Sequence, residues 1–227
     1  MLSLAIATAI AGATLLGLDM HLNGFPANPA PSHQTTAEKL QAEYEALFPG
    51  DSQKSSPGFA VLVKKDGAVV FEKGFGVRDP RSKTPIDAHT NFRLASFTKQ
   101  FTAMAIMLLV HDGKLSYDET LTKIFPNFPA YGKNITVRNL LNHTGGLPDY
   151  EDLMEATEKQ KGKTWSPEKQ ITDTEVLQLL EKESRGKFEP GTQWEYSKSG
   201  YVVLGLMVAK RSGKSFGEFL HERIFSP

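Results

Sequence analysis

The sequence contains no cysteine. Disulfides, thiolate nucleophiles and zinc–thiolate centres are therefore excluded. The absence does not fix a compartment, because exported proteins can lack cysteine as well. Paired histidines are missing too. His21, His33, His89, His111, His143 and His221 are all too far apart to grip a metal from successive turns of one helix. Each reads as a surface or hydrogen-bonded structural residue. An excess of either charge is also absent: 26 Lys plus Arg balance 26 Asp plus Glu. No net field draws the chain to nucleic acid or to an anionic membrane.

Several catalytic signatures are missing as well. No Gly-x-Ser-x-Gly occurs, which removes the usual α/β-hydrolase nucleophile elbow. Gly213-Lys214-Ser215 imitates the end of a phosphate loop, but Val208 stands where the earlier glycine is required. Gly74-Phe75-Gly76 lacks a third glycine and leads into a proline-containing loop, so it does not indicate a dinucleotide site. There is no internal repeat and no low-complexity tract.

Residues 1–18 are apolar and alanine-rich, with the length of a signal-peptide core and short of a membrane span. No Lys or Arg precedes this core, and its small-residue pairs Ala7/Ala9 and Ala11/Ala13 lie inside it. Export is the leading reading; a short membrane anchor and a mis-assigned start codon are the alternatives. Residues 23–32 form a polar, proline-rich tether.

The rest has the composition of an ordinary globular protein. Thr35-x-x-Glu38 is a capping box, predicting a helix with Leu40, Tyr44 and Leu47 on one face. Two β-rich runs, 58–64 and 68–75, flank Asp66-Gly67, a strong hairpin signal. Residues 78–90 read as loop. A helix is expected from Ser96 to about His111, apolar nearly all round and so packed on several sides, with Gly113 at its end. Pro126 and Pro129 break the stretch 115–129. Thr136 can cap a short helix through Leu141. Residues 150–168 are polar and read as an exposed excursion. Thr172-x-x-Glu175 opens a helix with Val176, Leu179 and Leu180 facing inward. Residues 189–192 read as a turn. Residues 201–209 form an apolar helix closing near Gly213, and Ser215-x-x-Glu218 caps a last helix. A hairpin followed by many helices indicates α+β. Because a lone hairpin is unstable, it must pack on helices or await further strands.

Ser-x-x-Lys occurs three times, at Ser96/Lys99, Ser166/Lys169 and Ser184/Lys187. Only Ser96 opens an apolar helix, where Lys99 at i+3 shares its face. Partial desolvation there lowers a lysine's pKa and lets its neutral amine accept the serine proton. The helix start also offers unpaired backbone N–H groups, that of Ser96 included, to a developing oxyanion. Spacing alone still favours the plainer alternative, a first-turn serine beside a solvated lysine.

Phe92-Arg93-Leu94-Ala95-Ser96-Phe97-Thr98-Lys99-Gln100 resembles the nucleophile segment of the serine β-lactamase and penicillin-binding-protein family, in its class C, D-alanyl-D-alanine carboxypeptidase and esterase branch. Further segments agree in order. They are Asp112-Gly113-Lys114-Leu115, Ile135-Thr136-Val137-Arg138-Asn139-Leu140-Leu141-Asn142-His143-Thr144-Gly145-Gly146-Leu147-Pro148, Pro190-Gly191-Thr192, Tyr196-Ser197 and Ser199-Gly200-Tyr201. The resemblance implies Ser96 as acylated nucleophile, Lys99 as its base or proton relay, and Tyr196 as the second-motif tyrosine exchanging protons with nucleophile or leaving group. It makes 143–148 a structural turn.

Two departures follow. Where the family's second motif ends in Asn, this chain reads Tyr196-Ser197-Lys198. Asn is donor and acceptor, whereas Lys only donates. An inward Lys198, in a substrate-binding place, sets a second ammonium near Lys99 and tilts the substrate towards esters; an outward one leaves the site impaired. The third motif, a late Lys-Thr-Gly or His-containing strand with the second oxyanion donor, is absent. Lys198-Ser199-Gly200 lies within the second motif, and His143-Thr144-Gly145 lies between motifs one and two. Losing one oxyanion donor costs about 10²–10³ in turnover.

The resemblance therefore implies an α+β, β-lactamase/transpeptidase-like fold: a helical domain plus the N-terminal β-hairpin of an incomplete antiparallel sheet. Residues 1–34 are expected as leader and tether, and 35–227 as a serine hydrolase domain truncated before its C-terminal strands. The expected activity is acyl-enzyme hydrolysis of a β-lactam, a D-Ala peptide or a small ester, in the periplasm or outside the cell. No metal or organic cofactor is expected. The partner is a small-molecule or peptide substrate, with no nucleic acid, and a membrane only through the leader. The competing expectation is a catalytically impaired fragment or a non-catalytic remnant of that family.

Overall fold

The structure, a computed structural model, describes residues 36–48 and 56–226. The leader, the tether and the cap at Thr35 lie outside the described residues. The chain divides into two compact units, joined in sequence between Asn91 and Phe92.

In the first unit, α1 (Thr36–Ala46) is followed by β1 (Phe59–Lys65) and β2 (Ala68–Phe75), which pair antiparallel. The turn between them has Asp66 at φ +51° and Gly67 at φ +81°. Two successive left-handed residues match the right-handed twist of a hairpin, which is why Asp-Gly is favoured there. The register sets Phe59 opposite Phe75, Val61 opposite Lys73 and Val63 opposite Phe71. One face therefore carries the aromatic residues, and α1 covers it. Tyr44 packs on Phe71 at 5.3 Å between ring centroids, and Phe48 packs on Phe75 at 5.1 Å. Lys73 on that face pairs with Glu45 of the helix at 2.9 Å.

Two expectations are corrected here. Leu47 does not face inward with Leu40 and Tyr44 but is 69% exposed. The helix ends at Ala46, so Leu47 leaves the helical phase and Phe48 takes the inward place. The stretch 78–90 is not all loop, because β3 (Val77–Asp79) pairs antiparallel with β4 (Thr84–Pro85). Strands this short carry no readable alternation.

In the second unit a 3₁₀ turn (Ala95–Thr98) runs into α2 (Lys99–His111). The helices α3 (Leu121–Ile124), α4 (Val137–Leu141), α5 (Tyr150–Lys161), α6 (Asp173–Leu180), α7 (Lys198–Ser212) and α8 (Phe216–Leu220) follow, with a π turn (His221–Phe225) after them. The expected caps are present: Thr136 with Asn139, Thr172 with Glu175 and Ser215 with Glu218 each form a reciprocal capping box. Val176, Leu179 and Leu180 are buried, as the pattern predicts.

Helix α7 is the axis of this unit and packs against α2, α4, α6 and α8. Its Val203, Leu204, Met207 and Val208 are fully buried, as are Ala105, Ile106 and Leu109 of α2. Burying one such aliphatic side chain stabilises the fold by about 1.5–3 kcal/mol. The expectation that α2 is enclosed on several sides is corrected, since Met104 is 46% and Met107 50% exposed. Within this unit α2 packs against α7, α8 and the π turn.

The region 150–168 is exposed as expected, but it is not irregular. Asp149 caps α5 by accepting the Glu151 N–H at 2.8 Å. Acidic residues fill its first turn and Lys159 and Lys161 its last, complementing the helix dipole. No residue of α5 is fully buried, but Tyr150 and Leu153 pack against the core and Met154 and Thr157 are half-buried, a helical stripe set among charged residues. Among the described residues, no helix is long and apolar enough to cross a membrane.

Candidate active site

Ser96 lies in the 3₁₀ turn that leads into α2, directly after Ala95 at φ +48°. A left-handed conformation costs a residue with a Cβ about 1–2 kcal/mol, so the turn before Ser96 is held under strain. The turn is closed by the Phe97 N–H donating to the Leu94 carbonyl at 3.1 Å and by the Lys99 N–H donating to the Ser96 carbonyl. This winding lays the two side chains together, and Lys99 Nζ donates to Ser96 Oγ at 3.2 Å. Ser96 is exposed and Lys99 half-buried.

Tyr196 arrives from 100 residues away, with its hydroxyl 2.6 Å from Ser96 Oγ. Its position is fixed from both sides. The Glu195 N–H donates to the His143 carbonyl at 3.0 Å, and the Ser197 N–H donates to His143 Nδ1 at 3.1 Å. His143 follows α4 at φ +60°, and its ring lies 4.8 Å from that of Tyr196. The neighbouring backbone continues the clasp. Gly191 donates to the Thr144 carbonyl at 2.8 Å, and Lys187 donates to the Gly146 carbonyl at 2.7 Å. Gly146 sits at φ +67°, and a Cβ there would lie 2.3 Å from the Phe188 carbonyl oxygen. Only glycine fits both the angle and the space.

Electrostatics favour the deprotonated phenol. The Lys99 amine beside Tyr196, and then the hydrogen bond with Ser96, hold the tyrosine below its ordinary pKa. Lys99 Nζ lies 4.8 Å from the Tyr196 ring centroid and 5.5 Å from that of Tyr201. Burial, and then the charge on Lys99, lower the pKa of His143. With Nδ1 accepting from Ser197, the neutral imidazole carries its proton on Nε2.

Lys198 takes neither of its two expected positions. It stands on the wall of the cavity that also holds Ser96 and Lys99, but its ammonium is paired with Glu151 and lies 3.8 Å from Asp149. The bond with Glu151 raises its pKa above the ordinary value. The buried Ser199 beside it donates to the Pro148 carbonyl at 2.6 Å and accepts the Tyr150 N–H at 2.9 Å. That pair of bonds ties the start of α7 to the start of α5. Lys198-Ser199-Gly200 opens a helix, as expected, and forms no strand.

The structure thus brings Ser96, Lys99 and Tyr196 together and places Lys198 on the same cavity wall. This cavity, of about 410 Å³, is also lined by Thr102, Tyr150 and Tyr201. The other two Ser-x-x-Lys pairs do nothing comparable. Ser166 Oγ accepts the backbone N–H of Lys169, and Lys187 pairs with Glu195. Sequence reasoning missed the packing of His143 and Tyr201 around the tyrosine and the lysine. Only the resemblance drew attention to these residues, through 135–148 for His143 and 199–201 for Tyr201, without giving either a role. Among the described residues, no group of three or more His, Asp or Glu is arranged to hold a metal ion.

Comparison with known proteins bears on the family and the fold. A family model described as Beta-lactamase matches residues 33–227. The chain is 34% identical over 195 residues to penicillin-binding protein 4* of Bacillus subtilis, covering 86% of this chain and 40% of that protein. Among solved structures, the octameric penicillin-binding protein homologue from Pyrococcus abyssi matches with a TM-score of 0.65 at 31% identity, over 85% of this chain and 43% of that one. The D-amino acid amidase from Ochrobactrum anthropi matches with a TM-score of 0.58 at 34% identity, over 75% of this chain and 44% of that one. The chain spans less than half the length of each of these relatives.

Proposed function

Because the chain belongs to the Beta-lactamase family, we propose that it forms an acyl-enzyme at Ser96 and hydrolyses a β-lactam, a D-amino-acid amide or peptide, or a small ester. Its fold is the β-lactamase/transpeptidase-like α+β fold, and the family is one of serine hydrolases.

One observation carries the reading: a single serine oxygen accepts from Lys99 at 3.2 Å and lies 2.6 Å from a phenol whose pKa is held down. In acylation the Tyr196 phenolate takes the Ser96 hydroxyl proton as Oγ bonds to the carbonyl carbon. Lys99, which donates to Ser96 Oγ, stabilises the phenolate form of Tyr196. The carbonyl π electrons move onto oxygen, and the Ser96 backbone N–H is the donor offered to that oxyanion. The tetrahedral centre then collapses. The bond to the amine or alkoxide breaks, and the leaving group takes its proton from Tyr196. In deacylation water replaces the leaving group: Tyr196 accepts its proton, the ester bond to Oγ breaks, and Ser96 is reprotonated. Lys198, held by Glu151 and Asp149 on the cavity wall, offers N–H donors to the bound substrate.

Intact-mass analysis after incubation with a labelled penicillin and with an activated ester tests this reading. One acyl group added to this chain and none to Ser96→Ala is the expected result. Unmodified mass with both reagents, or the same adduct on Ser96→Ala, overturns it.

A further inference from the structure

A cavity of about 480 Å³ is lined by the 3₁₀ turn Ala130–Asn134 and by the loop 185–190. It shares no lining residue with the cavity that holds Ser96. Its volume is that of a small-molecule site, about 300–1,000 Å³. The acylation chemistry makes no use of it.

The apolar part of its wall is held in place. Ile135 is buried, and Tyr131 and Phe188 are half-buried. The Tyr131 hydroxyl donates to the Leu180 carbonyl at 2.8 Å, which anchors the ring. The Lys187 N–H on the Gly146 carbonyl anchors the loop next to Phe188. Gly186 lets the loop pass this close, since a Cβ there would lie 2.8 Å from the Gly146 carbonyl oxygen and 3.6 Å from Tyr131 Cδ2.

The charges on the wall fall into two groups. Lys187 is engaged, because it pairs with Glu195. Arg185 and Glu189 are exposed and form no ion pair with each other or with any other of the described residues. One cavity thus presents a guanidinium and a carboxylate, each uncommitted, beside two aromatic rings. A lone anion drawn to Arg185 is repelled by Glu189, and by Glu183 and Glu181, whose charges act on Tyr131. A lone cation drawn to Glu189 is repelled by Arg185. A molecule carrying both charges satisfies both residues.

We propose that this cavity binds a free amino acid as its zwitterion. Its carboxylate meets the fork of Arg185, its ammonium meets Glu189, and an apolar side chain lies against Tyr131 and Phe188. Asn134, which also lines the cavity, has an amide that can donate or accept at either end. The site stands independently of the reading of Ser96 as the acylated residue.

Titration calorimetry of the full chain at two temperatures, with L- and D-phenylalanine in turn, tests the proposal. Saturable binding of at least one of them at a single site is expected. Phenylacetate and phenethylamine each keep one of the two charges and are expected to bind about tenfold more weakly or worse. Arg185→Gln and Glu189→Gln change exposed loop positions, and each is expected to weaken phenylalanine about tenfold while the circular dichroism stays as in the parent. Ser96→Ala is expected to bind as the parent does. No saturable heat from either phenylalanine overturns the site. Phenylacetate or phenethylamine binding as tightly as phenylalanine overturns the recognition of a zwitterion. Binding that survives both loop substitutions, or that Ser96→Ala removes, puts the amino acid elsewhere and overturns the proposal as well.

Discussion

The backbone N–H of Ser197 donates to Nδ1 of His143 at 3.1 Å, across 54 residues of sequence. This bond selects the imidazole tautomer and, with the Glu195 N–H on the His143 carbonyl, clasps Tyr196 between its two neighbours. The histidine positions the phenol and does not reach the reacting oxygen.

That arrangement makes stability sensitive to acid. Burial and the charge on Lys99 hold the His143 pKa below its ordinary value. The unfolded chain therefore binds a proton at a higher pH than the folded protein does. The contribution is fully present above the unfolded value, about 6.5, and is lost as pH falls through it towards the folded value. Thermal unfolding followed against pH should show Tm dropping below that point. His143→Asn should flatten the slope, because Asn tolerates the left-handed φ and can still accept from Ser197. An unchanged slope in the variant refutes the assignment.

Tyr196→Phe keeps the ring against His143 and removes only the hydroxyl. Acylation by an activated ester should slow by about 10²–10⁴, the usual worth of a positioned general base. Because Tyr196 is 42% exposed, the melting temperature should change little. Rapid-mixing rates and a thermal melt on the same sample check both halves of this expectation.

Lys99 holds the phenol of Tyr196 below its ordinary pKa. The acylation rate should therefore rise with pH along a limb whose apparent pKa is below the usual tyrosine value of about 10. Lys99→Gln removes the ammonium that favours the phenolate, so that limb should move to higher pH. A pH–rate profile that keeps its limb in the variant rules out Lys99 as the cause.

Gly146→Ala should be costly although Gly146 contributes no group to the chemistry. The residue sits at φ +67°, and its new Cβ would meet the Phe188 carbonyl at 2.3 Å. A loss of about 2 kcal/mol or more is expected, or roughly 4–8 °C in Tm for a chain of this size. Calorimetry decides it.

Lys198→Asn removes an exposed ion pair with Glu151, worth about 0–1 kcal/mol. Stability should barely move. Asn adds an acceptor that Lys lacks, so acylation by amide-bearing substrates should rise relative to simple esters. A ratio of penicillin to ester acylation that stays fixed argues against contact between residue 198 and the substrate.

Much of the fold was legible because its signals are local. Asp66-Gly67 set the hairpin turn, and Thr136, Thr172 and Ser215 marked helix starts through bonds spanning three residues. The misreadings share a physical cause. Helix α5 leaves its apolar stripe, Tyr150, Leu153 and Met154, only half-buried among charged residues, so the segment reads as polar. The pairing of Val77 with Pro85 is too brief to show a period. The apolar composition of α2 suggested enclosure, but burial of Met104 and Met107 depends on neighbours that an apolar composition cannot supply.

The candidate site divides along the same line. The sequence by itself determined that Ser96 and Lys99 lie one turn apart, because spacing within a turn is set by backbone geometry over three peptide units. It also singled out Tyr196, through the resemblance of the segment around it. Only the tertiary structure decided that the Tyr196 hydroxyl reaches the same oxygen, that His143 clasps it there, and that Lys198 turns to Glu151. Those distances cross tens of residues. They follow from how α2, α4 and α7 pack around a shared core, which the order of residues within any one segment does not specify.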